Sequence, residues 1–212
     1  MAERVLPLFP LNTVLFPGAM LPLHIFEERY KLMLQRCLQG DKEFGVVLIR
    51  SGQEVGGPAV PYEIGTVARI VHFERLAGGR FNLVTAGMER FRIVTLYHRQ
   101  PYLEGLVQVL APEPDAATAP EQVATVRELF DDYLDALGAS ETEFREPGIE
   151  AFTFRVAHAL RIPLAEKQAL LEAESSEARL RLEAQILRRE CVVLRLLRAE
   201  PPEDTAGPFS PN

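Results

Sequence analysis

Apolar residues in the first thirty positions come in short runs cut by prolines. Leu6, Leu8, Phe9 and Leu11 surround Pro7 and Pro10, Val14 to Phe16 stop at Pro17, and Met20, Leu21 and Leu23 flank Pro22. Each proline removes a backbone donor, so these runs predict short strands kept out of the middle of a sheet. A turn is expected at Phe16-Pro17-Gly18. From Phe26 the spacing changes. Phe26, Tyr30, Met33, Leu34, Cys37 and Leu38 recur every three or four residues, the apolar face of a helix. Glu27 and Glu28 sit at its positive end and Gly40 follows as a C-cap.

Beyond that helix the pattern is β. Phe44 to Ile49 is a continuous apolar run of the kind buried on both faces. Ser51 to Glu63, with three glycines and two prolines, reads as a long loop. Ile64 to Leu76 and Arg80 to Ala86 flank Ala77-Gly78-Gly79, a hairpin signal. Gly87 interrupts the next run as a turn or bulge. Phe91 and Ile93 then alternate with Arg90 and Arg92, and Val107 and Val109 with Gln108. Six or so short strands with one helix suit a small closed barrel.

The last hundred residues are helical. Ala111 to Ala117 is a linker, and Thr118-Ala119-Pro120-Glu121 fits a capping box. Val123, Val126, Leu129, Phe130, Tyr133, Leu134 and Leu137 form a stripe ending before Gly138. A second helix starts near Pro147 with Ile149, Phe152, Val156 and Leu160 inward, and a third covers Leu164 to Glu172. Ser175 or Ser176 caps a long last helix with Leu180, Ile186, Leu187, Cys191, Val193, Leu194 and Leu197 in a broad apolar stripe. The organisation is a β-rich lobe over 1–111, a helical lobe over 112–199 and a Pro-rich disordered tail over 200–212.

Composition changes this picture little. Of 212 residues, 47% are hydrophobic and 25% charged, as in an ordinary soluble globular protein. No apolar run reaches the roughly 18–20 residues that span a bilayer, no secretory signal opens the chain, and the cytoplasm is the expected compartment. The charge is uneven. Residues 1–111 carry 12 Lys and Arg against 10 Asp and Glu, and residues 112–212 carry 11 against 20. So slight a basic excess argues against general nucleic-acid binding.

The opening segment resembles the start of the Lon protease N-terminal domain, the module that engages substrate ahead of the ATPase and peptidase parts. The resemblance continues through Phe44 to Leu48, Glu63 to Ile70, Gly79 to Val84, Gly87 to Ile93 and Tyr102 to Leu106. It implies an α+β fold, a PUA-like pseudo-β-barrel with one helix, followed by a C-terminal helical bundle. It also implies a binding module that takes unfolded or client proteins and works with a separate protease or chaperone.

Catalytic chemistry is not legible. There is no G-x-x-x-x-G-K-[ST] loop, and none of Lys31, Lys42 and Lys167 lies near a serine in a family peptidase motif. His24, His72, His98 and His158 include no pair at metal spacing, and Glu27 and Glu28, adjacent on a helix, do not face one another. Cys37 and Cys191 read as buried thiols. No cofactor, metal or catalytic residue is expected. Two binding surfaces remain. Leu15, Phe16, Pro17 and Met20 straddle a turn, so some of them should border an apolar groove, with weak, sequence-tolerant peptide binding. The alternative is an RNA- or anion-binding barrel face built on Arg69, Arg80, Arg90 and Arg92, since PUA-like folds elsewhere bind RNA.

Overall fold

The prolines of the opening segment lie inside a strand with neighbours on both sides. In the computed structural model, which describes residues 3–55, 59–112, 120–139 and 148–199, β1 (Glu3–Leu11) contains Pro7 and Pro10. Its first part, Glu3 to Leu8, runs antiparallel to β7 (Leu103–Val109), and its last part, Leu8 to Leu11, runs parallel to β3 (Glu43–Gly52). The two neighbours are staggered, so Pro7 faces a strand only on the β7 side and Pro10 only on the β3 side. The expectation that proline excludes this segment from the middle of a sheet is thereby corrected. Stagger gives each proline one free side, where a missing N–H costs nothing.

Closure follows from that stagger. β7 pairs with β6 (Phe81–Tyr97), β6 with β5 (Ile64–Arg75), β5 with β3, and β3 returns to β1. Two strands stand outside this ring of five. β2 (Met20–Ile25) lies along β6, and β4 (Ala59–Pro61) along β3. The hairpin between β5 and β6 is a single 3-10 turn, Ala77–Gly79.

Side chains fill the ring in an alternating pattern. Leu6, Leu8, Val47, Val67, Phe91 and Val107 form a separate interior cluster. The Phe91 ring fits because two strand residues facing it are glycines. A Cβ on Gly45 would stand 2.6 Å from that ring, and one on Gly65 would stand 2.8 Å from it. The opposite faces of the same strands belong to the main core. Phe9 lies 4.1 Å from Tyr30 of α1 (Glu28–Gln39) and 6.0 Å from Phe44. β3 is therefore buried on both faces over its first half, as its continuous apolar run predicts. Phe26 precedes α1 and is exposed, so it does not join the helix's apolar face.

The helical part comprises α2 (Pro120–Leu137), α3 (Ile149–Ala159), α4 (Leu164–Glu172) and α5 (Ser176–Ala199). Ser175 is the cap of α5: its Oγ accepts the Ala178 N–H at 3.1 Å. α3 is central, with Phe152, Thr153, Phe154, Val156 and Ala157 all buried, so it has no solvent face as wide as its single inward stripe suggests. On α5, Leu180, Leu187 and Cys191 are buried, whereas Val193 and Leu197 are exposed. At 100° per residue those two lie away from the Leu187–Cys191 face, so the broad stripe is two stripes, of which one is covered. The expected linker beyond Pro112, the Thr118 capping position, Pro147 and the tail over 200–212 lie outside the described residues.

One hydrophobic cluster runs from Phe9 and Phe44 through Phe16 to Phe130, Phe152 and Leu187, joining sheet and helices. Polar contacts reinforce the join. The Arg90 guanidinium of β6, buried, donates to the Leu171 carbonyl at 2.9 Å and the Ala173 carbonyl at 2.7 Å. Arg179 of α5 stacks at 3.9 Å on the Phe154 ring and donates to Thr153 Oγ1 at 2.8 Å. Gln168 donates to the Ile64 carbonyl at 3.0 Å.

Candidate functional site

The site grows from the Phe16–Ala19 turn. Gly18 holds φ at +79°, which glycine adopts without strain, and its N–H reaches the Gly87 carbonyl at 2.8 Å. The Gly87 N–H returns to the Ala19 carbonyl at 2.8 Å. The turn lies so close to β6 that a Cβ on Gly87 would stand 2.2 Å from the Phe16 carbonyl oxygen. Gly87 adjoins a bulge, as its interruption of the strand pattern predicts, and it is also the landing point for this turn.

The close seat decides which turn residues are available. Phe16 is 0% exposed with its ring 6.3 Å from Phe154, and Leu15 is 3% exposed with its carbonyl accepting from Thr66 Oγ1. Both expectations of a surface role are corrected: these side chains are core, because the turn is pressed onto β6 and covered by α3. Met20 is 51% exposed on β2, opposite Ala86, and does not line the groove described next. Of the four, Pro17 alone borders it.

That groove, of about 470 Å³, lies between sheet and helices. It opens where β6 passes from one neighbour to another. β2 accompanies β6 as far as Ala86 and β7 begins at Phe91, while the β5 register steps from Gly87 to Arg90. Met88 and Glu89 thus have no strand partner on the β2 and β7 side, and on the β5 side they form a bulge opposite Val67. The walls are largely apolar: Pro17 and Ala19 from the turn, Met88 from β6, Leu110 after β7, and Ala151 and Phe154 from α3. Glu89, Arg90, Glu150, Arg155 and His158 supply its polar groups. Of the candidate site residues that sequence reasoning named, only Pro17 and Arg90 border the groove, and Arg90 was named there for an anion face. The available signal was in α3, where Phe152 and Phe154 are too close in sequence to share one helical face.

Burial lowers the His158 pKa from its ordinary value, with a smaller contribution from the Lys167 ammonium. Lys167 is held nearby by its bond to the His158 carbonyl at 3.0 Å, and burial lowers its pKa as well. The groove therefore presents a neutral imidazole at neutral pH. It contains no nucleophile–base pair. Among the described residues no group of three His, Cys, Asp or Glu could hold a metal, and burial pushes the Cys37 thiol up to about 11.

The arginines do not form one face. Arg90 is buried at the junction with the helices, so the expectation of an exposed role is corrected: the outer side of the barrel there is covered by α4 and the loop after it. Arg69 gives two bonds to Glu43 Oε1, at 3.0 and 2.7 Å. Arg80 is exposed at the hairpin and donates to the Ala77 carbonyl at 3.3 Å. Arg92 is exposed, opposite Gln108 of β7.

Comparison with known proteins agrees with this architecture. The family model described as the ATP-dependent protease La (LON) substrate-binding domain matches residues 5–189. The chain is 32% identical over 205 residues to Lon protease 2 of Myxococcus xanthus, covering 91% of this chain and 24% of that protein. It is 30% identical over 203 residues to the Lon protease of Anaeromyxobacter dehalogenans, again over 24% of its length. The chain thus spans about a quarter of these relatives. The crystal structure of a Lon N-terminal domain protein from Xanthomonas campestris superposes with a TM-score of 0.67 at 28% identity, covering 93% of this chain and 99% of that one. The N-terminal domain of the Mycobacterium avium complex Lon protease shares the fold, with a TM-score of 0.62 at 18% identity. No described helix is long and apolar enough to cross a membrane. With that family model over most of its length, the chain belongs to the ATP-dependent protease La (LON) substrate-binding domain family.

Proposed function

We propose that this chain is a non-catalytic binding module that captures exposed apolar segments of unfolded or client proteins in the cytoplasm and presents them to a separate protease or chaperone. The observation that carries this reading is the apolar groove of about 470 Å³ at the junction of sheet and helices, in a chain of a substrate-binding family. Its size suits a small number of side chains. Two or three inserted apolar side chains contribute roughly 1.5–3 kcal/mol each, and association costs of at least about 4 kcal/mol offset much of that. A net of at most about 5 kcal/mol follows, a Kd of about 0.2 mM or weaker, which suits sampling of many sequences. The PUA-like reading of the barrel belongs to the same proposal, whereas no observation favours the RNA alternative, since its four arginines are dispersed.

Titration of fluorescent apolar peptides, monitored by anisotropy, tests this. Met88→Lys should weaken binding at least about tenfold by placing a charge in the groove. Met20→Lys, outside the groove, should leave it unchanged. Equal binding of polar and apolar peptides, or indifference to Met88→Lys in a folded variant, would remove the proposal.

A further inference from the structure

β5 outruns its neighbour. Its pairing with β3 ends at Arg69, and the last link on that side is the Ile70 N–H to the Lys42 carbonyl at 2.8 Å. Val71 to Arg75 continue along β6 on one side only, and all five are exposed, with Val71 at 52% and Phe73 at 45%. This stretch is one margin of a three-stranded extension, β5–β6–β2. The other margin, β2, carries Pro22, which blunts a strand edge. The β5 margin has neither proline nor lysine. It shows a hydrogen-bond-competent edge with Val71 and Phe73 exposed among polar neighbours, an edge that can pair with another chain.

We propose that this edge joins a second copy of the chain, antiparallel and centred on Phe73. The sequence Val71-His72-Phe73-Glu74-Arg75 is self-complementary in that register alone. Phe73 meets the partner's Phe73, His72 meets the partner's Glu74 on the opposite face, and the aliphatic stem of Arg75 lies along the partner's Val71. Centring on His72 or Glu74 sets like groups against each other, so register is selected by the side chains. The bulge at Val71 ends the ladder. Five residues a side bury far less than the roughly 1,200 Å² of a stable interface, so the dimer is weak and concentration-dependent.

This association does not use the groove, and sedimentation of the full chain tests it. The average mass should climb from 23.7 kDa toward twice that value as concentration rises to about 1 mM. Glu74→Lys should abolish the climb, and adding His72→Glu to it should restore the climb by exchanging the charges. Phe73→Cys should give a disulfide-linked dimer on mild oxidation, because directly opposed strand residues lie within disulfide reach. Val60→Cys, exposed on β4, should not. A constant 23.7 kDa throughout would overturn the proposal. So would a dimer that survives Glu74→Lys and does not cross-link at Phe73, which would point instead to the exposed Val192, Val193, Leu196 and Leu197 of α5. Peptide binding in the groove should be unaffected by Glu74→Lys, so the two proposals fail separately.

Discussion

Glu43 is a buried acid whose arginine partners outweigh the effect of its burial. Burial pushes its carboxyl up, but hydrogen bonds from Arg69 and Arg4 and their charges outweigh this and hold it below the ordinary glutamate value. Its two oxygens tie β3 to β5 through Arg69 and to β1 through Arg4, each at 2.7 Å. A carboxylate favoured in the fold contributes stability above its unfolded pKa, and that contribution is lost as pH falls through the folded value. Glu43→Gln should therefore cost about 1–2 kcal/mol at neutral pH, discounted for the exposure of both arginines, and the cost should vanish in strong acid. Urea unfolding across pH checks this, and a pH-independent difference would refute it. Arg90 teaches the complementary point. Alternation correctly placed it off the barrel interior, beside Phe91, yet the outer surface of a barrel is solvent only where no other element covers it.

Among elements, legibility followed periodicity and failed at close approach. α4, read as Leu164 to Glu172, and the end of α2 before Gly138 stood out because stripes, proline and glycine agree there. The interior glycines did not stand out, since a strand glycine announces no particular neighbour. Gly45 and Gly65 both make room for Phe91, but differently. The nearest neighbours of a Cβ at position 45 would be the side chains of Phe91 and Leu8, whereas the nearest to one at position 65 would be the Val46 carbonyl oxygen, at 2.5 Å. Gly45→Ala should cost about 1–3 kcal/mol, and Phe91→Leu in the same chain should recover part of it. Gly65→Ala should gain little from the same partner change, because backbone cannot be trimmed. Denaturant midpoints of the four variants decide the matter; equal rescue at both sites would contradict the assignment.

At the scale of the whole molecule, the groove exists because β2 leaves β6 at Ala86 and β7 joins it only at Phe91, and α3 spans the gap. Its His158 gives the site a pH dependence with a definite sign. The imidazole is neutral above its lowered pKa and gains a charge as pH falls through it, and a charged wall disfavours apolar guests. Peptide affinity should be level above about pH 7 and decline on acidification, and His158→Gln should flatten the profile. Anisotropy titrations at several pH values measure it, and an unchanged slope in the variant would remove His158 from the site.

The amino-acid sequence by itself determined the local elements and the family, because helical and strand periodicities, caps and breakers act over a few neighbouring residues. It also carried the absence of a phosphate loop and of a Ser-Lys peptidase motif within these residues, since both are written in contiguous types. Only the tertiary structure decided that Phe16 is core and Met88 is wall, that Arg90 clamps the Leu171 and Ala173 carbonyls, and that Phe91 rests on glycines. Those outcomes depend on which segments meet across the fold. Burial is a property of the neighbours that arrive, and no spacing along the chain records them.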